Sequence, residues 1–197
     1  MTGVPMRFWK KALAATCLGV IATPVLSVAP AEAGGSARAG LLWAAASPTA
    51  AGDGGAYAYD ADLVPAGARV ALLSLTRSGR TSTLLTVRGL QAGHRYGAHL
   101  HVNACAPDPA AAGPHYQQVS DPQQPSTDPA YANPTNEVWL DVRTNARGAG
   151  VAVARNPWTY RAAAPRSLVL HAEATHTDPG HAGQAGARVA CLTLSRA

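Results

Sequence analysis

The chain has 197 residues, 47% hydrophobic and 14% charged, a balance that suits one folded domain with extra segments and excludes a disordered or fibrous protein. Its net charge of +5 shrinks once the first 33 residues are set aside, leaving 13 basic against 10 acidic residues. A charge of +3 is too mild for a nucleic-acid-binding surface.

Residues 1–33 read as a secretory signal peptide. Arg7, Lys10 and Lys11 form a positive start, the apolar run "ALAATCLGVIATPVLSVA" follows, and "AEA" offers small residues before a cut after Ala33. A retained membrane anchor is the competing reading, but Pro24 interrupts the run and small residues dilute it, so no stable membrane span is expected after cleavage. Thr16 and the short apolar lead argue against lipidation at Cys17. Cleavage leaves two cysteines, Cys105 and Cys191, and outside the cell an even pair normally joins. One disulfide is expected.

Residues 34–55, "GGSARAGLLWAAASPTAAGDGG", show no sustained helical or strand period and read as a flexible leader. Residues 56–197 then change texture to short apolar stretches separated by Gly, Pro, Asn and Asp, the mark of an all-β domain. Eight candidate strands follow: 56–60, 68–76, 82–89, 95–103, 137–144, 148–155, 166–173 and 187–194, with "SGR" turning between the second and third. Eight is a natural count for a closed or nearly closed sandwich. Two long loops, 106–136 and 174–187, break the pattern, and loops of that length are usually functional or mobile.

Within "GAHLHVNAC" the alternation of a strand puts His99 and His101 on one face and Ala98, Leu100 and Val102 on the other. Any single histidine could be a satisfied polar side chain at a strand end. Two same-face imidazoles on a half-buried strand need partners for their nitrogens, and a metal serves both at once. His115, in the first long loop, and His171, ending "LVLH", could join them only in three dimensions. Nitrogen ligands without thiolate or carboxylate favour copper among redox metals.

The segments "VRGLQAGHRYGAHLHVNAC", "AGPHY", "RSLVLHAE" and "AGQAGARVAC", in that order, resemble the copper-zinc superoxide dismutase family from about Ala68 to Leu194. The resemblance implies a flattened eight-stranded Greek-key barrel, His99, His101, His115 and His171 as copper ligands, and Cys105 with Cys191 as the intrasubunit disulfide. It implies superoxide as substrate, with His115 as the catalytic proton carrier and Arg188 as the arginine that guides the anion. The bland reading of Arg188 is a surface salt bridge.

The chain departs from that family after His115, where the loop contains no further histidine, so the zinc site is expected to be absent, as in copper-only dismutases. Glu137 is the first candidate to hold the free nitrogen of His115 in place of zinc, and Asp141 is the reserve. A relocated zinc site at His176, Asp178 and His181 is the alternative. His94 matches no ligand and is expected to be exposed. Two rival functions stand beside an exported dismutase: a copper-binding or storage module without turnover, and a structural domain that has lost its metal. Aromatic content of 6% leaves no apolar dimer patch visible and no oligomeric state implied.

Overall fold

Two nine-residue segments that alternate buried and exposed side chains set the frame of the molecule. In the computed structural model, which describes residues 1–3 and 40–197, Arg69–Arg77 pairs antiparallel with Arg80–Arg88 along its whole length, from Arg69 opposite Arg88 to Arg77 opposite Arg80. Ser78 and Gly79 join them, both at positive φ (50° and 77°), the backbone twist that a two-residue hairpin turn requires.

The strands among the described residues are β1 (Gly40–Ala46), β2 (Ala56–Ala58), β3 (Arg69–Arg77), β4 (Arg80–Arg88), β5 (Arg95–Tyr96) and β6 (Ala98–His101). They continue with β7 (Val142–Arg143), β8 (Gly150–Asn156), β9 (Ser167–His171), β10 (Arg188–Thr193) and β11 (Ser195–Arg196). One sheet runs β11-β1-β3-β4-β8, a second β2-β10-β9-β6, and β5 pairs with β7. The described fold lies within the compact unit of residues 36–197. No helix among the described residues is long and apolar enough to cross a membrane.

The two main sheets meet through their apolar faces. Leu72, Leu85 and Val87 from the first and Leu100, Leu168, Leu170 and Leu192 from the second belong to one core cluster, all nearly inaccessible to solvent. Burial of such side chains stabilises by about 1.5–3 kcal/mol each before entropy is charged. The all-β expectation therefore holds.

The leader expected over 34–55 is corrected from Gly40 onward. Residues 40–46 form β1, an interior strand paired with β3 from Gly40 opposite Thr76 to Ala46 opposite Val70. Its alternation, Leu42 and Ala44 inward and Trp43 outward, is carried mostly by alanine, too weak a contrast to register as a period. The strand expected over 137–144 shrinks to β7; the rest of it makes only the isolated bridges Trp139–His99 and Glu137–Gln117. The signal peptide expected over 1–33 lies almost wholly outside the described residues.

A candidate metal centre on the outer face of the second sheet

Alternation along β6 and β9 sends Leu100, Leu168 and Leu170 into the core and His99, His101, Val169 and His171 to the opposite side. On β10 the register slips between Arg188 and Ala190, so that Val189 and Ala190 both enter the core. This bulge resets the parity of the strand. Arg188 thereby joins Cys191 on the histidine side, opposite His171. The chain after β6 brings His115 back to bridge His101, completing the group.

The four histidines each offer one ring nitrogen, and these atoms lie within 4.8 Å of one another. Their other nitrogens are held, which fixes the tautomers. The Nδ1 of His101 donates to the carbonyl of Gly113 at 2.9 Å, and the Nδ1 of His171 donates to Gly186 O at a longer 3.4 Å. Both Nε2 atoms are then lone-pair acceptors, yet they face each other at 3.4 Å. Two facing lone pairs repel unless a cation lies between them.

His115 donates from Nδ1 to Glu137 Oε2 at 2.8 Å. The carboxylate is 1% exposed and fully satisfied: Trp139 Nε1 donates to the same oxygen at 2.6 Å, and Gln117 Nε2 donates to Oε1 at 2.8 Å. Gln117 is oriented in turn by accepting from the backbone of Asp121.

His99 is reversed. Its Nε2 lies 2.8 Å from Thr175 Oγ1, whose single hydroxyl proton goes to Asp141 Oδ1. The threonine oxygen can only accept from the ring, so Nε2 carries the proton and Nδ1 has none. That Nδ1 is buried without any partner. An orphaned buried acceptor aimed into a group of three other free imidazole nitrogens is what a metal would satisfy, and a four-imidazole set suits copper.

Burial is the main reason that His99 and His101 are held well below the usual pKa of 6.5 and His171 is lowered to about 3, with repulsion from His115 next. The site thus favours neutral, ligating imidazoles. His115, His171, Glu137 and Arg188 line an open pocket of about 330 Å³, while His99 and His101 lie behind it. Arg188 is anchored by Nη1 on Pro109 O and Nη2 on Gly113 O, both at 2.7 Å. Among the described residues it makes no ion pair with a carboxylate, which leaves the bland alternative of a surface salt bridge without a partner there. Gly113, at φ 73°, thus serves His101 and Arg188 with one carbonyl, and a Cβ there would meet Asn103 and Val102 within 3 Å.

The four histidines named as copper-ligand candidates meet in this one place, and Glu137 bonds the ring of His115. Asp141, the reserve for His115, instead reaches His99 through Thr175. His94 is half-buried rather than exposed, its Nε2 bonded to Ala172 O. His176, Asp178 and His181 lie together on the surface, with Asp178 at 3.0 Å from His181 and 3.6 Å from His176. Among the described residues, the four-histidine group is the only set of ligand atoms that converges. Gln117 and Trp139 were missed, although each stands two residues beyond a recognised partner and so on the same side of its segment. Thr175 gave no signal at all.

Two facing β-sheets with four convergent imidazoles and an anchored arginine at a pocket mouth define a copper-binding β-sandwich protein. The family model for copper/zinc superoxide dismutase (SODC) matches residues 69–193, and the chain belongs to that family. No curated protein matches it. Cys105 and Cys191 form the disulfide, and such a bond suits an oxidising compartment.

Proposed function

We propose that the protein is an exported, copper-dependent superoxide dismutase that works without zinc, converting two superoxide ions and two protons to dioxygen and hydrogen peroxide. The observation that carries the reading is the set of four free ring nitrogens, each with its opposite nitrogen already held. His99 would bind copper through Nδ1, and His101, His115 and His171 through Nε2.

Copper would supply one-electron chemistry by alternating between Cu(II) and Cu(I). The protein's own groups do the rest. Arg188, a permanent cation beside the pocket, draws in the small anion. His115 is the proton carrier: with Nδ1 tied to Glu137, its Nε2 is the atom that can take a proton from solvent and release it toward reduced substrate. Glu137 is a positioning residue that occupies, for the ring of His115, the role a zinc ion has in copper-zinc members. The export reading rests on the signal-like first 33 residues and on the disulfide.

The test is to load the chain beginning at Gly34 with copper and zinc together, then measure metal content and dismutation on one sample. One copper, no zinc and full activity is expected, with Arg188→Ala lowering activity about tenfold at unchanged copper content. One copper without activity would replace this reading with a copper-holding module. Full activity in His115→Ala would remove the proton-carrier role.

A further inference from the structure

The outer face of the five-stranded sheet carries an arrangement that the metal centre does not use. The pairing registers align Trp43, Leu73, Leu84 and Val153 in one row across β1, β3, β4 and β8, all pointing outward and all exposed. Leu75 in the row on one side and Val151 in the row on the other extend it, and both are exposed. Contiguous exposed apolar surface of this kind marks an interaction site.

The charges around it have one sign. Arg77 and Arg80 face each other beyond one end of the apolar rows, and Arg69 and Arg88 beyond the other; all four are exposed. Arg155 stands outward on β8, and no strand of this sheet contains an aspartate or glutamate. The result is an apolar centre with a tryptophan, framed at both ends by paired guanidinium groups.

We propose that this face docks on an anionic lipid bilayer. Charge complementarity selects the occupant. A second copy would fit the apolar centre but would bring arginine against arginine at both ends, because a two-fold axis maps those ends onto one another or onto themselves and the strands of the sheet carry no carboxylate to neutralise them. Directional protein recognition has little to use, since the outward polar side chains of the aligned rows, apart from the arginines, are only Ser82, Thr86 and Ser195. Tryptophan favours the boundary between headgroup and hydrocarbon, aliphatic side chains enter it, and arginines bind the lipid phosphates. The histidine cluster lies on the outer face of the opposite sheet, so a docked molecule keeps its copper pocket turned to the aqueous side.

The chain beginning at Gly34 contains every described strand, both apolar clusters and the disulfide, and omits the apolar run of residues 12–29. It would be mixed with vesicles of phosphatidylglycerol and phosphatidylcholine in equal parts, and separately with pure phosphatidylcholine, at low salt. Co-sedimentation and the blue shift of tryptophan emission are the readouts. Binding at least tenfold tighter to the anionic vesicles is expected, weakening with salt. Arg69→Gln with Arg88→Gln should weaken it about fivefold per arginine. Leu73→Thr with Leu84→Thr should weaken it about tenfold or more while circular dichroism and dismutation stay unchanged. Equal binding to both vesicle types, or unchanged binding by both double variants, would overturn the proposal. So would a dimer in sedimentation equilibrium that Leu73→Thr with Leu84→Thr abolishes, or binding of polyglutamate but not of vesicles.

Discussion

The two sheets present outer faces of opposite character. The second sheet turns His99, His101, His171 and Cys191 away from the core, yet none is more than 5% exposed. The first turns Trp43, Leu73, Leu84 and Val153 outward, and they stay 38–50% exposed. The difference comes from the loops. The segment carrying His115, Gly113 and Glu137 and the segment carrying Thr175 and Gly186 fold over the second sheet, and no described segment covers the middle of the first. Polar groups can therefore be buried outside the core, provided that loops supply a partner for each. Apolar groups on the bare side need none.

The covering is tied down by Cys105–Cys191, which closes 86 residues of sequence between the chain after β6 and β10. If the tie is what distinguishes the two faces, Cys105→Ser should damage the fold and the covered site together. A loss of about 2–5 kcal/mol is expected from loop-closure entropy, read as a lower denaturant midpoint, with copper binding weakened in parallel. An unchanged midpoint would mean that the loops hold themselves in place.

Acid should separate the faces next, in the metal-free protein. His99, His101 and His171 are kept neutral by burial, the first two well below 6.5 and His171 at about 3. The unfolded chain binds protons at these positions that the folded chain refuses, so stability is full above about pH 7, falls as the pH drops through 6.5, and goes on falling toward the folded values. The expected loss between pH 7.5 and pH 5 is about 2 kcal/mol for each such histidine. Urea midpoints at those two pH values measure it. A flat profile would show that the histidine side is as indifferent to acid as the arginine-framed side, where nothing titrates in that range.

A finer test concerns the link from Asp141 through Thr175 to His99. Thr175→Val keeps the shape but removes the hydroxyl, leaving the Nε2 proton of His99 without its acceptor. Copper affinity should fall about tenfold, measured by competition with a chelator, and Thr175→Ser should restore it. Equal affinity in the two variants would reduce Thr175 to a packing residue.

Much of the covered face was legible in the sequence and little of the bare one. The histidine pair at 99 and 101, the late His171, the cysteine pair and Glu137 follow from two-residue alternation, cysteine count and family resemblance. Thr175 did not, because a threonine in an irregular loop has no periodic context and acts only where the fold brings it to Asp141. The place of Asp141, held in reserve for His115, was hidden for the same reason: its chain position lies near Glu137, but its side chain reaches His99 through Thr175. The strand 40–46 was hidden by alanines, whose small side chains fill inner positions without announcing them. The apolar row depended on that strand and on register, since Trp43, Leu73, Leu84 and Val153 are 110 residues apart at their extremes and become neighbours only through three strand pairings. An aromatic content of 6% said nothing about where one tryptophan would stand.

The smallest expected effect, at Leu73, sharpens the contrast within a single strand. Leu72 and Leu73 are adjacent on β3, one 3% and the other 48% exposed. Leu72→Ala should cost about 2–5 kcal/mol, because the core cannot close around the lost side chain. Leu73→Thr, which places a β-branched residue suited to a strand on the outer face, should change stability by no more than about 0.5 kcal/mol. Denaturant unfolding of the chain beginning at Gly34 reads both. A large cost at Leu73 in dilute, lipid-free solution would mean that something already covers the apolar row, and the outer face of the first sheet would then have to be counted as a second interior.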